Sequence, residues 1–278
     1  MAFDTLREVL VLSGGWGQRA TATHDVWEWN GARWSSTATA PEVNVRSPMA
    51  YDAARRRTVH SRESTGVWEW DGASWTNTSK PSPFPAADDG AATTDTGRQR
   101  VVLVTLGRTW EWTGTGWEER VTAVAPEARR QHGLAFDPVR RRVVLFGGSG
   151  QMLFADTWEW DGQTWLERTP LTSPPGGGPA LMAFDHVTSR VMLVIGQQTW
   201  AWDGSTWVEL AAAPGGFSLS TDPQTGRPVL MTLRSNNALE AWAWDGAQWV
   251  LRGATQVWGV GWPSGTMDLD QRRLVVLA

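Results

Sequence analysis

The chain has no cysteine, a single tyrosine (Tyr51) and a single lysine (Lys80). No apolar run approaches the ~20 residues a membrane-crossing helix needs. Without cysteine there are no disulfides, no thiolate metal sites and no thiol nucleophiles, and the redox compartment stays open. The opening MAFDTLREVLVLSGG lacks a basic start, an apolar stretch and a small-residue cleavage site, so no signal peptide is expected; localisation is open, cytoplasmic if Met1 is the true start. A formal net charge of -4 and a pI near 5.6, with no basic stripe interleaved with aromatics, argue against a nucleic-acid partner. No membrane partner is expected either.

What is present is tryptophan, 21 residues of it, alongside 29 glycines and 15 prolines. A Trp-x-Trp pair recurs at Trp27/Trp29, Trp68/Trp70, Trp110/Trp112, Trp158/Trp160, Trp200/Trp202 and Trp242/Trp244. Each pair is followed by a third tryptophan, at Trp34, Trp75, Trp117, Trp165, Trp207 or Trp249. A period of about 40 residues marks a repeat architecture.

The fourth copy is the clearest. RQHGLAFD (130–137) reads as a strand ending in an Asp-led turn, RRVVLFGG (141–148) as a second strand, and DTWEWDG (156–162) and QTWLERT (163–169) as two more. Asp161-Gly162 suits a two-residue turn, which would set Trp165 opposite Trp158. Four short strands per period make the blade of an all-β propeller. The gap between blades widens away from the axis, and indole is the bulkiest filler available, so Trp158, Trp160 and Trp165 read as structure.

Arginines that open the second strands, Arg7, Arg57, Arg100, Arg142, Arg190, Arg227 and Arg273, are expected to stack on indoles and pair with the central carboxylates Glu69, Glu111 and Glu159. Residues that recur in every blade do not mark a unique site.

On these residues the pattern resembles the kelch repeat: a strand ending in Phe/Tyr-Asp, an apolar strand ending in Gly-Gly, an aromatic-Asp-Gly turn and a final Trp. The resemblance covers nearly the whole chain and implies a propeller of four-stranded antiparallel blades. Two departures make it a divergent, tryptophan-rich relative. Gly-Gly survives only at Gly14-Gly15 and Gly147-Gly148, and Trp replaces the usual Tyr before the turn. DGASW (71–75), DGQTW (161–165) and DGSTW (203–207) are similar to the Asp-box of sialidase-type propellers but lack one residue between Asp and Gly, and read as convergence on one hairpin.

One domain over 1–278 is expected, with repeats near 1–45, 46–86, 87–129, 130–177, 178–213 and 214–254 and a partial copy at 255–278. The C-terminal MDLDQRRLVVLA parallels the N-terminal MAFDTLREVLVL, giving seven second strands against six Trp-x-Trp hairpins. Seven positions, six complete blades plus a half-blade, use every strand once; six blades with two ends competing for one place is the alternative. A half-blade predicts an open edge near 271–278 and self-association through it.

Turns after the first and third strands share one face of the disc, and the uneven loops after the second and fourth share the other. On the latter, GWGQRATATH (15–24) and SGQMLFA (149–155) are long. Trp16, His24, Met152 and Phe154 stand outside the repeat, as do Trp258 and Trp262, and these are the candidate binding residues. They suit stacking on a sugar or capture of a partner's apolar anchor, with packing under the loops as the plainer alternative. Phe154 beside Met152 is the candidate exposed apolar contact.

No catalytic set assembles. His24, His60, His132 and His186 have no zinc-motif spacing, so no metal and no cofactor is expected. Copper chemistry of the galactose-oxidase type would need Tyr and Cys ligands; Tyr51, at the repeat position of Phe3, Phe136 and Phe184, reads as core. Asp88, Asp89 and Glu127 could form a glycosidase pair only if the fold brought them together. The expected role is a non-catalytic interaction scaffold presenting loops from one face. Alternatives are a carbohydrate-binding propeller, a glycan-acting hydrolase, or a fragment or designed repeat protein with no activity of its own.

Overall fold

The protein is described from a computed structural model, which defines residues 2–16, 22–30, 33–39, 48–62, 66–78, 80, 90–222, 224–234, 238–256, 265–268 and 273–276. Blade one consists of β1 (Ala2–Asp4), β2 (Val9–Trp16), β3 (Ala22–Trp29) and β4 (Arg33–Thr39). Blade two follows as β5 (Met49–Asp52), β6 (Arg57–Arg62), β7 (Gly66–Trp70) and β8 (Trp75–Asn77), and blade three as β9 (Ala91–Asp95), β10 (Arg100–Thr105), β11 (Arg108–Trp112) and β12 (Trp117–Arg120). Blade four is β13 (Gly133–Asp137), β14 (Arg142–Ser149), β15 (Leu153–Trp160) and β16 (Trp165–Arg168). Blade five is β17 (Ala180–Asp185), β18 (Arg190–Ile195), β19 (Gln198–Trp202) and β20 (Trp207–Glu209), and blade six β21 (Ser218–Thr221), β22 (Pro228–Leu233), β23 (Ala238–Trp244) and β24 (Trp249–Gln256). A last hairpin, β25 (Gly265–Asp268) and β26 (Arg273–Val276), follows.

Each blade is an antiparallel meander, and the six together form a β-propeller. The ring has six blades and not the seven positions that the strand count favoured. Blade six packs directly on blade one, with Val229, Met231, Ala241 and Ala243 against Leu10, Trp27 and Trp29. That contact closes the circle and leaves no inner gap for a seventh hairpin. β25–β26 instead continues the sheet of blade one outside β4, in the order β1-β2-β3-β4-β25-β26. The open edge therefore belongs to the perimeter.

Blades adhere through the tryptophans. The second indole of one blade donates to the central glutamate of the blade before it: Trp70 to Glu28 at 3.1 Å, Trp160 to Glu111 at 3.3 Å, Trp202 to Glu159 at 3.0 Å. The third indole donates to a hydroxyl one blade back: Trp117 to Ser61, Trp165 to Thr109, Trp207 to Thr157 and Trp249 to Thr199, at 2.8 to 2.9 Å. The two rings lie in tilted contact, with centroids 5.4 Å apart for Trp160 and Trp165. Burial of so much aromatic surface drives the assembly, and these indole N–H groups, donating across the gap, fix its register.

Two local expectations change. Trp165 pairs with Trp160, not Trp158, because four residues and not two join β15 to β16. In that turn the Asp161 carboxylate accepts the Gln163 and Thr164 amides, both at 2.8 Å, and Gly162 sits at φ +100°.

The arginines that reach the central glutamates come from the first turn or from the fourth strand, where Arg120 binds Glu111 and Arg168 binds Glu159, both at 2.9 Å, and not from the start of the second strand. Arg7 bridges Asp4 and Glu28, and Arg98 bridges Asp95 and Glu111. Arg55 binds Glu69 at 2.8 Å through Nη2. Arg7 is thus the counterpart of Arg55 and Arg98, while Arg57, Arg100 and Arg142 begin strands.

Candidate functional site

Two places on a rigid propeller can serve a ligand: the axial channel and the face that carries the uneven loops. The first strand of every blade is an edge of its sheet, so six strands present unpaired backbone N–H and C=O groups to the axis. The channel encloses about 300 Å³. Blades one, two, four and five line it with an Ala-aromatic step: Ala2-Phe3, Ala50-Tyr51, Ala135-Phe136, Ala183-Phe184. Blades three and six, opposite one another in the ring, substitute Thr93-Thr94 and Ser220-Thr221. Thr94 and Thr221 donate to the Tyr51 and Phe184 carbonyls at 2.6 and 2.8 Å.

Among the described residues no Asp, Glu, Lys or Arg lines this channel. Burial, together with the Asp4 carboxylate nearby, pushes the Tyr51 phenol well above its ordinary range. The first-strand aspartates are buried and engaged in their turns, as Asp137 is with the Val139 and Arg140 amides at 3.0 and 2.9 Å. Glu127 is exposed on a linker, and Asp88 and Asp89 lie outside the described residues. Among the described residues no three His, Asp or Glu gather as metal ligands would.

On the loop face, the expected site residues separate. Met152 and Leu153 are exposed, at 62% and 64%. Phe154 is buried at 8%, a correction to its expected exposure: the Arg129 guanidinium lies 3.9 Å above its ring. Arg129 is itself buried, donates to the Gly147 carbonyl at 3.1 Å and binds the Asp156 carboxylate with both terminal nitrogens. Asp156 also accepts the Trp158 indole N–H at 2.7 Å. The Phe146–Gly148 bulge turns the strand here, and Gly148 sits at φ +100°, where a Cβ would lie 2.7 Å from the Arg130 carbonyl oxygen.

Sequence reading missed Arg129 and Asp156. The signal was present: an acid stands two residues before the first tryptophan in the blades with long hairpins, at Asp25, Asp156 and Glu240, where the short hairpins carry Gly66, Arg108 and Gln198. Blade six repeats the device. Against partial burial, Arg234 at 2.8 Å, Trp242 and Thr232 hold the Glu240 carboxyl below its usual range. Trp16 ends β2 and His24 lies in β3, their side chains outside the described residues; Trp258 and Trp262 lie outside them altogether.

The loop face carries most of the exposed large apolar side chains of blades three to five. Val121 and Val124 follow β12, Met152 and Leu153 form the β14–β15 tip, Leu171 follows β16, and Phe217 precedes β21. These four segments leave or enter strands on one side of the disc. The linker after β16 closes on the tip: a Cβ on Gly176 would lie 2.6 Å from the Phe154 carbonyl oxygen, and one on Gly177 2.9 Å from Leu153.

No protein-family model matches the chain and no curated protein matches it. Solved structures do. It is similar to the Aleuria aurantia lectin AAL, in an N224Q mutant in complex with Fucalpha1-6GlcNAc, at 15% identity and TM-score 0.57, over 89% of this chain and 95% of the lectin. A putative 6-phosphogluconolactonase from Bacteroides uniformis matches at 11% identity and TM-score 0.53, over 92% of this chain and 84% of that one. A GH74 xyloglucanase from Xanthomonas campestris matches at 15% identity and TM-score 0.51, over 87% of this chain, which spans only 44% of the xyloglucanase. At these identities the likeness shows the fold alone: the chain is a tryptophan-rich, six-bladed β-propeller.

Proposed function

We propose that the protein is a non-catalytic binding scaffold that holds a partner's apolar segment on the loop face of blades three to five, with its repeat read as a divergent kelch-like one. The exposure of Val121, Val124, Met152, Leu153, Leu171 and Phe217, all in segments on this face, carries this reading. Soluble domains seldom display that many aliphatic side chains on one face without use. The stacked Arg129, Phe154 and Asp156 hold the tip at a fixed height, so little conformational freedom is lost on binding. A photo-crosslinking residue at Met152 should capture a partner that the same residue at Val187, exposed on the opposite face, does not. Equal capture at both positions, or capture unaffected by Leu153→Ser with Leu171→Ser, overturns the reading.

Carbohydrate binding is the second reading, and the channel favours it. Its volume is at the lower end of ligand pockets, its walls bear no Asp, Glu, Lys or Arg among the described residues, and free backbone groups and the half-buried Thr93 and Ser220 offer donors and acceptors to a neutral sugar. A glycan array with no hits would sink it.

A further inference from the structure

The first hairpin of a blade follows a common register. In five blades its closing pairs are five residues apart: Asp52 with Arg57, Asp95 with Arg100, Asp137 with Arg142, Asp185 with Arg190, and Asp4 with Val9 in blade one; in blade six the last pair is Thr221 with Pro228, and beyond it the Asp222 amide donates to the Arg227 carbonyl. The last hairpin closes on Asp268 with Arg273, at the same spacing. The connection that leads to it also matches. Eight residues (257–264) separate β24 from β25, as eight (210–217) separate β20 from β21. By register and by reach, β25–β26 is the inner hairpin of a next blade, yet it lies on the perimeter.

The next inner slot after blade six is that of blade one, held by β1–β2. Among the described residues β1 meets β2 at three positions, Ala2 with Val11, Phe3 with Leu10 and Asp4 with Val9. Among the described residues β25 meets β4 at Met267 with Trp34 and Asp268 with Arg33. The sequence Leu274-Val275-Val276 is apolar at successive positions, which suits a strand covered on both faces, as β2 is with Leu10 and Val11 at 1% and 0% exposure. At the rim an apolar edge strand is left as a template for other chains.

We propose that the edge of β3 is a docking surface for two hairpins of this one chain, and that β25–β26 exchanges with β1–β2 as the inner hairpin of blade one. A short tether keeps the second hairpin at high effective concentration, so exchange within the chain outcompetes exchange between chains. In the exchanged ring β26 pairs with β3. By the register of blade five, where Met192 faces Ala201, Val275 then faces Glu28, the place Val11 holds otherwise.

The absence of cysteine makes the test clean. Two double variants share one partner: Glu28→Cys with Val11→Cys, and Glu28→Cys with Val275→Cys. Under mild oxidation both should yield cross-linked monomers. Adding Phe3→Asp, which weakens the β1 contact with blade six, should raise the Val275 yield several-fold and lower the Val11 yield. If the Val11 pair closes fully while the Val275 pair closes neither with nor without Phe3→Asp, or closes only between two chains, the proposal falls.

Discussion

His132 shows how much a single side chain can reveal. Its ring is buried between blades three and four, both ring nitrogens lack a well-formed hydrogen bond, and burial beside the Arg129 guanidinium lowers its pKa to about 4 from 6.5. Because the folded pKa is the lower one, the unfolded chain takes up the proton first. Stability is full above pH 6.5, declines as pH falls towards 4 and levels off below. At about 1.4 kcal/mol per pH unit the loss is about 3 kcal/mol. Denaturant midpoints across that interval should show it, and His132→Asn should flatten the profile. Glu111 makes a second test. It is 1% exposed and receives Arg98, Arg120 at 2.9 Å and Trp160. Removal leaves two guanidinium groups and an indole N–H short of a partner, partly within reach of water, so Glu111→Ala should cost about 2 to 3 kcal/mol by thermal or chemical unfolding, and Glu111→Gln less.

The outer hairpins belong to the next scale. Their turns were readable as Asp-Gly, since a positive φ and an aspartate that caps amides have sequence signatures. Their length was not, because two-residue and four-residue turns share that dipeptide, and the error moved Trp165 by two positions. Gly162 joins this turn to the neighbouring blade: a Cβ there would lie 2.6 Å from Arg98 Nε, and the residue is at φ +100°. Gly162→Ala should therefore lower stability by about 1 to 2 kcal/mol through strain and displacement of Arg98. Gly116 has nothing within 4 Å of its would-be Cβ, so Gly116→Ala is the matched control, with a far smaller expected effect. The long β14–β15 hairpin shows the other limit. Its protrusion was legible from loop length, whereas the burial of Phe154 depends on Arg129, 25 positions earlier and brought over its ring by the fold.

At the scale of the whole molecule, the ring is sealed between blades six and one by side-chain packing, with no strand crossing from one to the other among the described residues. Such a seam is where local opening is expected to begin. Amide exchange should be faster in β1–β2 and β21–β22 than in β13–β14, and Met231→Ala, at the seam, should widen the difference. The amino-acid sequence by itself determined the repeat, the four strands of each blade, the strand order within it and the structural standing of Trp158, Trp160 and Trp165, because alternation, Asp-led turns and indole volume act over a few residues. Only the tertiary structure decided that the ring holds six blades and that β25–β26 lies outside β4. It alone decided that first-turn and fourth-strand arginines hold the glutamates and that, among the described residues, no carboxylate lines the channel. Blade number depends on the angle at which whole sheets pack, and that angle is set by the sum of many inter-blade contacts which no local spacing encodes.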